Sequence, residues 1–177
     1  QDVIDYITTA STGNAVDFGN LLEATEHAGG ASSPTRGLVA GGNPGTANRI
    51  QFITITTLGN SQDFGDLQAL GDVMMGGGMS SPIRAIFSGN YTATIESVTI
   101  PTLGNSRDFG DMTTSRGIQH SNTDSVRGVI SGGNTPGSTN SMEYIQIMTE
   151  GNGVDFGDLV ADTANGFDTV STAHGGL

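Results

Sequence analysis

The chain has no cysteine, no tryptophan and no lysine. Without cysteine there is no disulfide, no thiolate nucleophile and no zinc–thiolate site, yet many extracellular β-proteins also lack cysteine, so the redox compartment stays open. All six basic residues are arginine, at 36, 49, 84, 107, 116 and 127. The missing lysine removes P-loop and Schiff-base chemistry together. Against the arginines stand eighteen acidic residues, for a formal net charge of −12. Such a surface repels nucleic-acid phosphates and anionic lipid, so no nucleic-acid partner is expected. Membrane insertion is not expected either, because no stretch approaches the ~20 apolar residues of a membrane helix. The opening Gln1-Asp2-Val3-Ile4 carries neither an initiator Met nor a signal-peptide pattern, as expected of a processed or internal segment.

What is present points to β-structure. Only 34% of the 177 residues are hydrophobic, so the core must be thin and repeated. The 28 glycines, with abundant Ser, Thr and Asn, disfavour helix interiors and favour turns and close backbone packing.

The repetition is plain. GNAVDFGNL at 13–21 returns as GNSQDFGDL at 59–67, GNSRDFGDM at 104–112 and GNGVDFGDL at 151–159. The aspartates Asp17, Asp63, Asp108 and Asp155 are followed by Phe18, Phe64, Phe109 and Phe156, at steps of 46, 45 and 47. An apolar strand precedes each GN, at 3–9, 49–55, 95–100 and 142–148. Between 19 and 21 residues after each DFG aspartate comes Arg36-Gly37, Arg84-Ala85, Arg127-Gly128 or, in the last copy, His174-Gly175. One unit thus reads as a small-residue strand (28–32, 74–80), a turn through Ser-Pro, an Arg-led strand, an apolar strand and a short DFG strand. In the apolar strand Ile50 and Phe52 face one way, with Ile53 and Ile55 on and beyond the other side. A strand apolar on both faces needs a neighbour on each. The expected fold is all-β, with four-stranded antiparallel units stacked as blades. Residues 1–177 form a single repeat domain whose units begin near 3, 49, 94 and 141, the last incomplete.

With Gly-Gly closing the second strand and an aromatic in the third, the unit resembles the kelch repeat of β-propellers, phenylalanine standing where kelch has tryptophan. Tyr6-Ile7-Thr8, Thr12-Gly13-Asn14, Asp17-Phe18-Gly19 and Ser32-Ser33-Pro34-Thr35-Arg36-Gly37 more closely resemble the long kelch-like arrays in structural proteins of tailed phages of marine and cyanobacterial hosts. The second and fourth copies depart from it at Arg84-Ala85 and His174-Gly175. The resemblance implies a non-enzymatic, extracellular virion protein of the tail-fibre or appendage type. Other virion proteins and further copies of the chain would be its partners, with host surface polysaccharide as a candidate ligand and no cofactor.

DFG is also the magnesium-binding string of protein kinases, but it occurs four times here without lysine or HRD. Asn14 with Asp17, Asn60 with Asp63 and Asp66, Asn105 with Asp108 and Asp111, and Asn152 with Asp155 and Asp158 offer oxygens to calcium. They fall short of an EF-hand set, so acceptance of backbone hydrogen bonds in turns is preferred. His27, His120 and His174 occupy different places in their units and are not expected to share a metal. Arg36, Arg84 and Arg127 are expected to pair with a repeated aspartate of the same or next unit. Asn90-Tyr91-Thr92 is a lone N-glycosylation string. Only Tyr91 and Phe167 fall clearly outside the shared aromatic pattern as platforms for a glycan. An enzyme on the same scaffold, a lyase or oxidase, would draw on Tyr6, Tyr144, Glu23 and Glu26, although Tyr6 and Tyr144 occupy equivalent positions that read as core. An intracellular kelch adaptor is a third reading, weakened by the missing tryptophan.

Overall fold

The computed structural model describes residues 1–43, 48–70 and 77–163. These form four antiparallel sheets. β1 (Val3–Tyr6) and β2 (Val16–Asn20) make a two-stranded sheet at the front. Three four-stranded meanders follow. The first holds β3 (Gly29–Ser32), β4 (Arg36–Ala40), β5 (Arg49–Thr54) and β6 (Gln62–Asp66). The second holds β7 (Gly78–Ser80), β8 (Arg84–Ser88), β9 (Thr92–Thr99) and β10 (Arg107–Arg116). The third holds β11 (His120–Thr123), β12 (Arg127–Ser131), β13 (Thr139–Gln146) and β14 (Val154–Thr163). Each meander runs small-residue strand, Arg-led strand, apolar strand, DFG strand, and the front sheet is the last two of these. A repeat counted from residue 3, 49, 94 or 141 therefore straddles two sheets.

The tight entry to each Arg-led strand has one cause. Ser33 Oγ accepts the amides of Thr35 and Arg36 (3.3 and 3.1 Å), and Ser81 Oγ those of Ile83 and Arg84 (3.4 and 3.1 Å). In the third sheet Asp124 Oδ1 accepts those of Val126 and Arg127 (3.0 and 2.6 Å). These side chains mimic a backbone turn, where the Ser-Pro signal placed one in the first two sheets and without a proline in the third. The Arg127 amide, followed by that of Val126, holds the Asp124 carboxyl below its ordinary range.

The first strands of the meanders lie side by side, β3 against β7 and β7 against β11. The Ser32 amide donates to Ser80 Oγ (3.3 Å), and Ser121 Oγ donates to the Gly78 carbonyl (3.3 Å). Backbones approach so closely that a Cβ on Gly78 would sit 2.0 Å from the Gly30 carbonyl oxygen. The small residues of these strands are what permits that approach.

The hydrophobic core lies between sheets. Leu38, Ile50, Phe52, Phe64, Leu67 and Leu70 pack against Ala85, Phe87, Val98 and Ile100 of the second sheet. On its other face Met79, Ile86, Ile95, Phe109 and Met112 meet Ile130, Ile145 and Ile147. Sheet two is thus apolar on both faces. β5 behaves differently from the expectation on one side. Ile50 and Phe52 are buried, but Ile53 is half-buried and Ile55, past the end of the strand, is 43% exposed. The buried residue of the opposite face is Gln51. The last strands also differ in length. β10 and β14 each run ten residues where β2 and β6 run five, and the extension of β10 ends on Arg116, fully buried against the next sheet.

Gly78→Ala is expected to destabilise by about 1–3 kcal/mol through overpacking. Gly30→Ala, whose Cβ would meet nothing within 4 Å, should stay within about 0.5 kcal/mol. Urea midpoints of the two variants check this, and equal losses would show that the inner strands do not touch as described.

Candidate functional site

The repeated residues converge on the seams between successive sheets. In all four sheets the pairing of the apolar and DFG strands shifts at the same point of the unit, where Phe18, Phe64, Phe109 and Phe156 are skipped and the flanking Asp and Gly stay in register. The phenylalanine is the extra residue of a β-bulge, and the bulge re-aims its ring toward the next sheet. Phe18, Phe64 and Phe109 are buried there at 7%, 3% and 3% exposure, while Phe156 is 48% exposed.

The GN loop of each unit clasps the bulged strand of the unit before it. The Gly59 amide donates to the Phe18 carbonyl and that of Ser61 to the Asn20 carbonyl (2.8 Å each), while Asn60 Oδ1 accepts the Asn20 amide (3.0 Å). The second seam repeats this with Gly104 on Phe64, Ser106 on Asp66 and Asn105 on the Asp66 amide. The third has Gly151 on Phe109, Gly153 on Asp111 and Asn152 on the Asp111 amide. The DFG glycine is dictated by this contact. At φ of +149°, +144° and +146°, Gly19, Gly65 and Gly110 would each put a Cβ 2.3–2.5 Å from the carbonyl oxygen of the clasping glycine.

A buried polar acceptor completes each seam. Gln51, Glu96 and Glu143 occupy the same register opposite the DFG aspartate, and each is at most 4% exposed. Gln51 Oε1 accepts the Leu22 amide (2.8 Å) and Ser61 Oγ (2.7 Å). Glu96 accepts the amides of Gln68, Ala69 and Leu70 (2.9–3.0 Å) and Ser106 Oγ (2.7 Å). Glu143 accepts the Thr113 amide (2.8 Å) and is ion-paired with Arg116, both side chains fully buried. Arg116 also donates to the carbonyls of Gly132 and Ser141 (3.2 and 3.1 Å). A buried carboxylate is tolerable only when its lone pairs are met, and the loop amides or the guanidinium meet them here. These acceptors and Arg116 went unnoticed in the sequence, although aligning the copies places Asp5, Gln51, Glu96 and Glu143 in one column.

The repeated arginines do not pair with a repeated aspartate. Arg36 lies over Phe52 (4.7 Å to the ring centroid) and Arg127 over Tyr144 (4.4 Å). In the second sheet Ser97 takes the aromatic's place, and Arg84 instead lies over Phe109 at 5.8 Å. Arg36 and Arg84 also cross the seam, donating to the carbonyls of Ile100 (2.6 Å) and Ile147 (3.0 Å). The arginine does tie neighbouring units together, through a backbone carbonyl. Ion pairs among the described residues are Arg49–Glu23 and Arg116–Glu143. Asp17, Asp63, Asp108 and Asp155 are exposed on the outermost strand of each sheet, where a charge opposes edge-to-edge pairing.

The remaining candidates are dispersed. The asparagine oxygens of the three filled seams are taken by amides of the neighbouring unit, and no three His, Asp or Glu cluster as a metal site among the described residues. Tyr6 is 40% exposed and Tyr144 half-buried, so neither is core. Asn90 donates its side-chain amide to the Leu70 carbonyl (2.6 Å). An open depression of about 670 Å³ along the β5–β6 hairpin is lined by Phe52, Thr54, Leu58 and Asn60. His174, Gly175 and Phe167 lie outside the described residues.

Burial of each phenylalanine is worth about 1.5–3 kcal/mol, against about 1 kcal/mol for each clasp hydrogen bond. Gly65→Ala should therefore cost about 3 kcal/mol through clash and strain, against about 1 kcal/mol for Gly59→Ala, which has positive φ but open space. Arg36→Gln should lower the melting temperature more than Arg127→Gln, because of these two only Arg36 holds a carbonyl across a seam. Equal shifts in calorimetry would remove that bond from the account.

No protein-family model matches the chain, and no curated protein matches it.

Proposed function

We propose that the chain is a non-enzymatic structural protein, a run of kelch-like β-propeller blades in an extracellular virion appendage of the tail-fibre type. Other virion proteins and copies of itself are its partners, and host surface polysaccharide is the ligand of its exposed loops. The observation that carries this reading is where the recurring residues go. The bulged phenylalanine, the clasping Gly-Asn, the buried acceptor and the arginine are all spent on joining one unit to the next. A chain whose repeated chemistry builds an array is suited to a scaffold. The likeness of Asp17-Phe18-Gly19 and Ser32–Gly37 to tailed-phage arrays supplies the setting.

The enzyme reading gains nothing from the geometry. Glu23 pairs with Arg49, Tyr144 sits under Arg127, and Tyr6 is at the opposite end of the array.

Antibody raised against the chain should place immunogold on appendages of particles purified from the producing host's lysate. Absence of its peptides from mass spectra of those particles would overturn the virion assignment. Calorimetric titration with host surface polysaccharide tests the ligand separately, and a flat titration would leave a scaffold without adhesive function.

A further inference from the structure

Among the described residues three seams are filled, and the two halves of a fourth stand open on the outer faces. The rear of the third sheet offers Phe156, 48% exposed where its counterparts are at most 7%, and the fully exposed Val160. Gly157 has φ of +129° and open space where the Cβ positions of Gly19, Gly65 and Gly110 meet a loop carbonyl. Arg127 is exposed, whereas Arg36 and Arg84 are half-buried. The front sheet offers the converse. Asp5 is exposed in the register of the buried Gln51, Glu96 and Glu143. Ile7 is 63% exposed in that of Val98 (3%) and Ile145 (2%). Gly13-Asn14 repeats Gly59-Asn60, Gly104-Asn105 and Gly151-Asn152.

We propose that the rear face of the third sheet binds the front sheet of a second copy of this chain through the same clasp that joins its own units. The Gly13 amide then donates to the Phe156 carbonyl and that of Ala15 to the Asp158 carbonyl. Asn14 Oδ1 accepts the Asp158 amide, and the Asp5 carboxylate accepts that of Val160. Arg127 reaches the Thr9 carbonyl, and Phe156 is covered as Phe18, Phe64 and Phe109 already are. The occupant is a second copy because the two open faces are complementary halves of one interface that the chain fills three times within itself. Ala15, like Gly153 of the third seam, lacks the hydroxyl of Ser61 and Ser106, and Asp5 is one methylene shorter than the glutamates at its register. The contact is head to tail, so it grows into a ring if the rotation closes and a filament if it does not. With a net charge of −12 on each copy, salt should strengthen it by screening repulsion. The inference does not depend on the virion reading.

Sedimentation velocity of the chain from micromolar to millimolar concentration is the test, with two variants at exposed positions that spare the folded core. Phe156→Asp blocks the rear and Ile7→Asp the front. Wild type is expected to self-associate with rising concentration and salt, and each variant to weaken that about tenfold or more. Mixed together, the variants should form a one-to-one heterodimer, since the intact rear of the Ile7→Asp chain meets the intact front of the Phe156→Asp chain. A monomeric wild type at every concentration overturns the proposal. Association that persists in either variant, or a mixture without heterodimer, overturns the head-to-tail geometry.

Discussion

At every filled seam a bulged phenylalanine is covered by the next unit while a Gly-Asn loop of that unit grips the backbone beside it. The rest of the structure depends on this joint. A four-stranded meander of this composition cannot bury enough apolar surface within itself, because its residues alternate across a sheet open on both sides. Stability comes from the neighbour, so it is a property of the interfaces as much as of the units.

The joint also accounts for residues that a composition-based reading treats as generic. Gly19, Gly65 and Gly110 are glycine because a loop carbonyl occupies the space of a Cβ. Asn60, Asn105 and Asn152 are asparagine because an amide of the preceding unit needs an acceptor beyond its own sheet. The seams differ in how they satisfy the acceptor beneath the clasp. The first uses a neutral amide, the second a carboxylate ringed by backbone amides, and the third a carboxylate with a buried guanidinium. Where that third carboxylate lies, the serine of the other seams gives way to Gly153, whose Cβ would sit 2.2 Å from Glu143 Oε2. Local sequence drift is thus absorbed inside a fixed backbone frame.

The repeat, the four-strand order and the turns before Arg36 and Arg84 were legible because each depends on local pattern: period two in the strands, Ser-Pro in the turn, recurrence of DFG. The partners of the arginines were not. A charge recurring once per unit suggested an opposite charge recurring with it, yet Arg36 and Arg84 found aromatic faces and carbonyls because the aspartates point to solvent on the outer strands. The buried Gln51, Glu96 and Glu143 were equally hidden, since a polar residue in an alternating strand reads as solvent-facing until the next sheet covers it.

The sequence by itself determined an all-β chain of repeated four-stranded antiparallel units and which residues recur in them, because hydrophobic period and turn chemistry act over a few neighbouring residues. Only the tertiary structure decided what the recurring residues touch. Contacts across a seam join residues about 40 positions apart in the chain, and strand pattern carries no information about which face of one sheet meets which loop of the next.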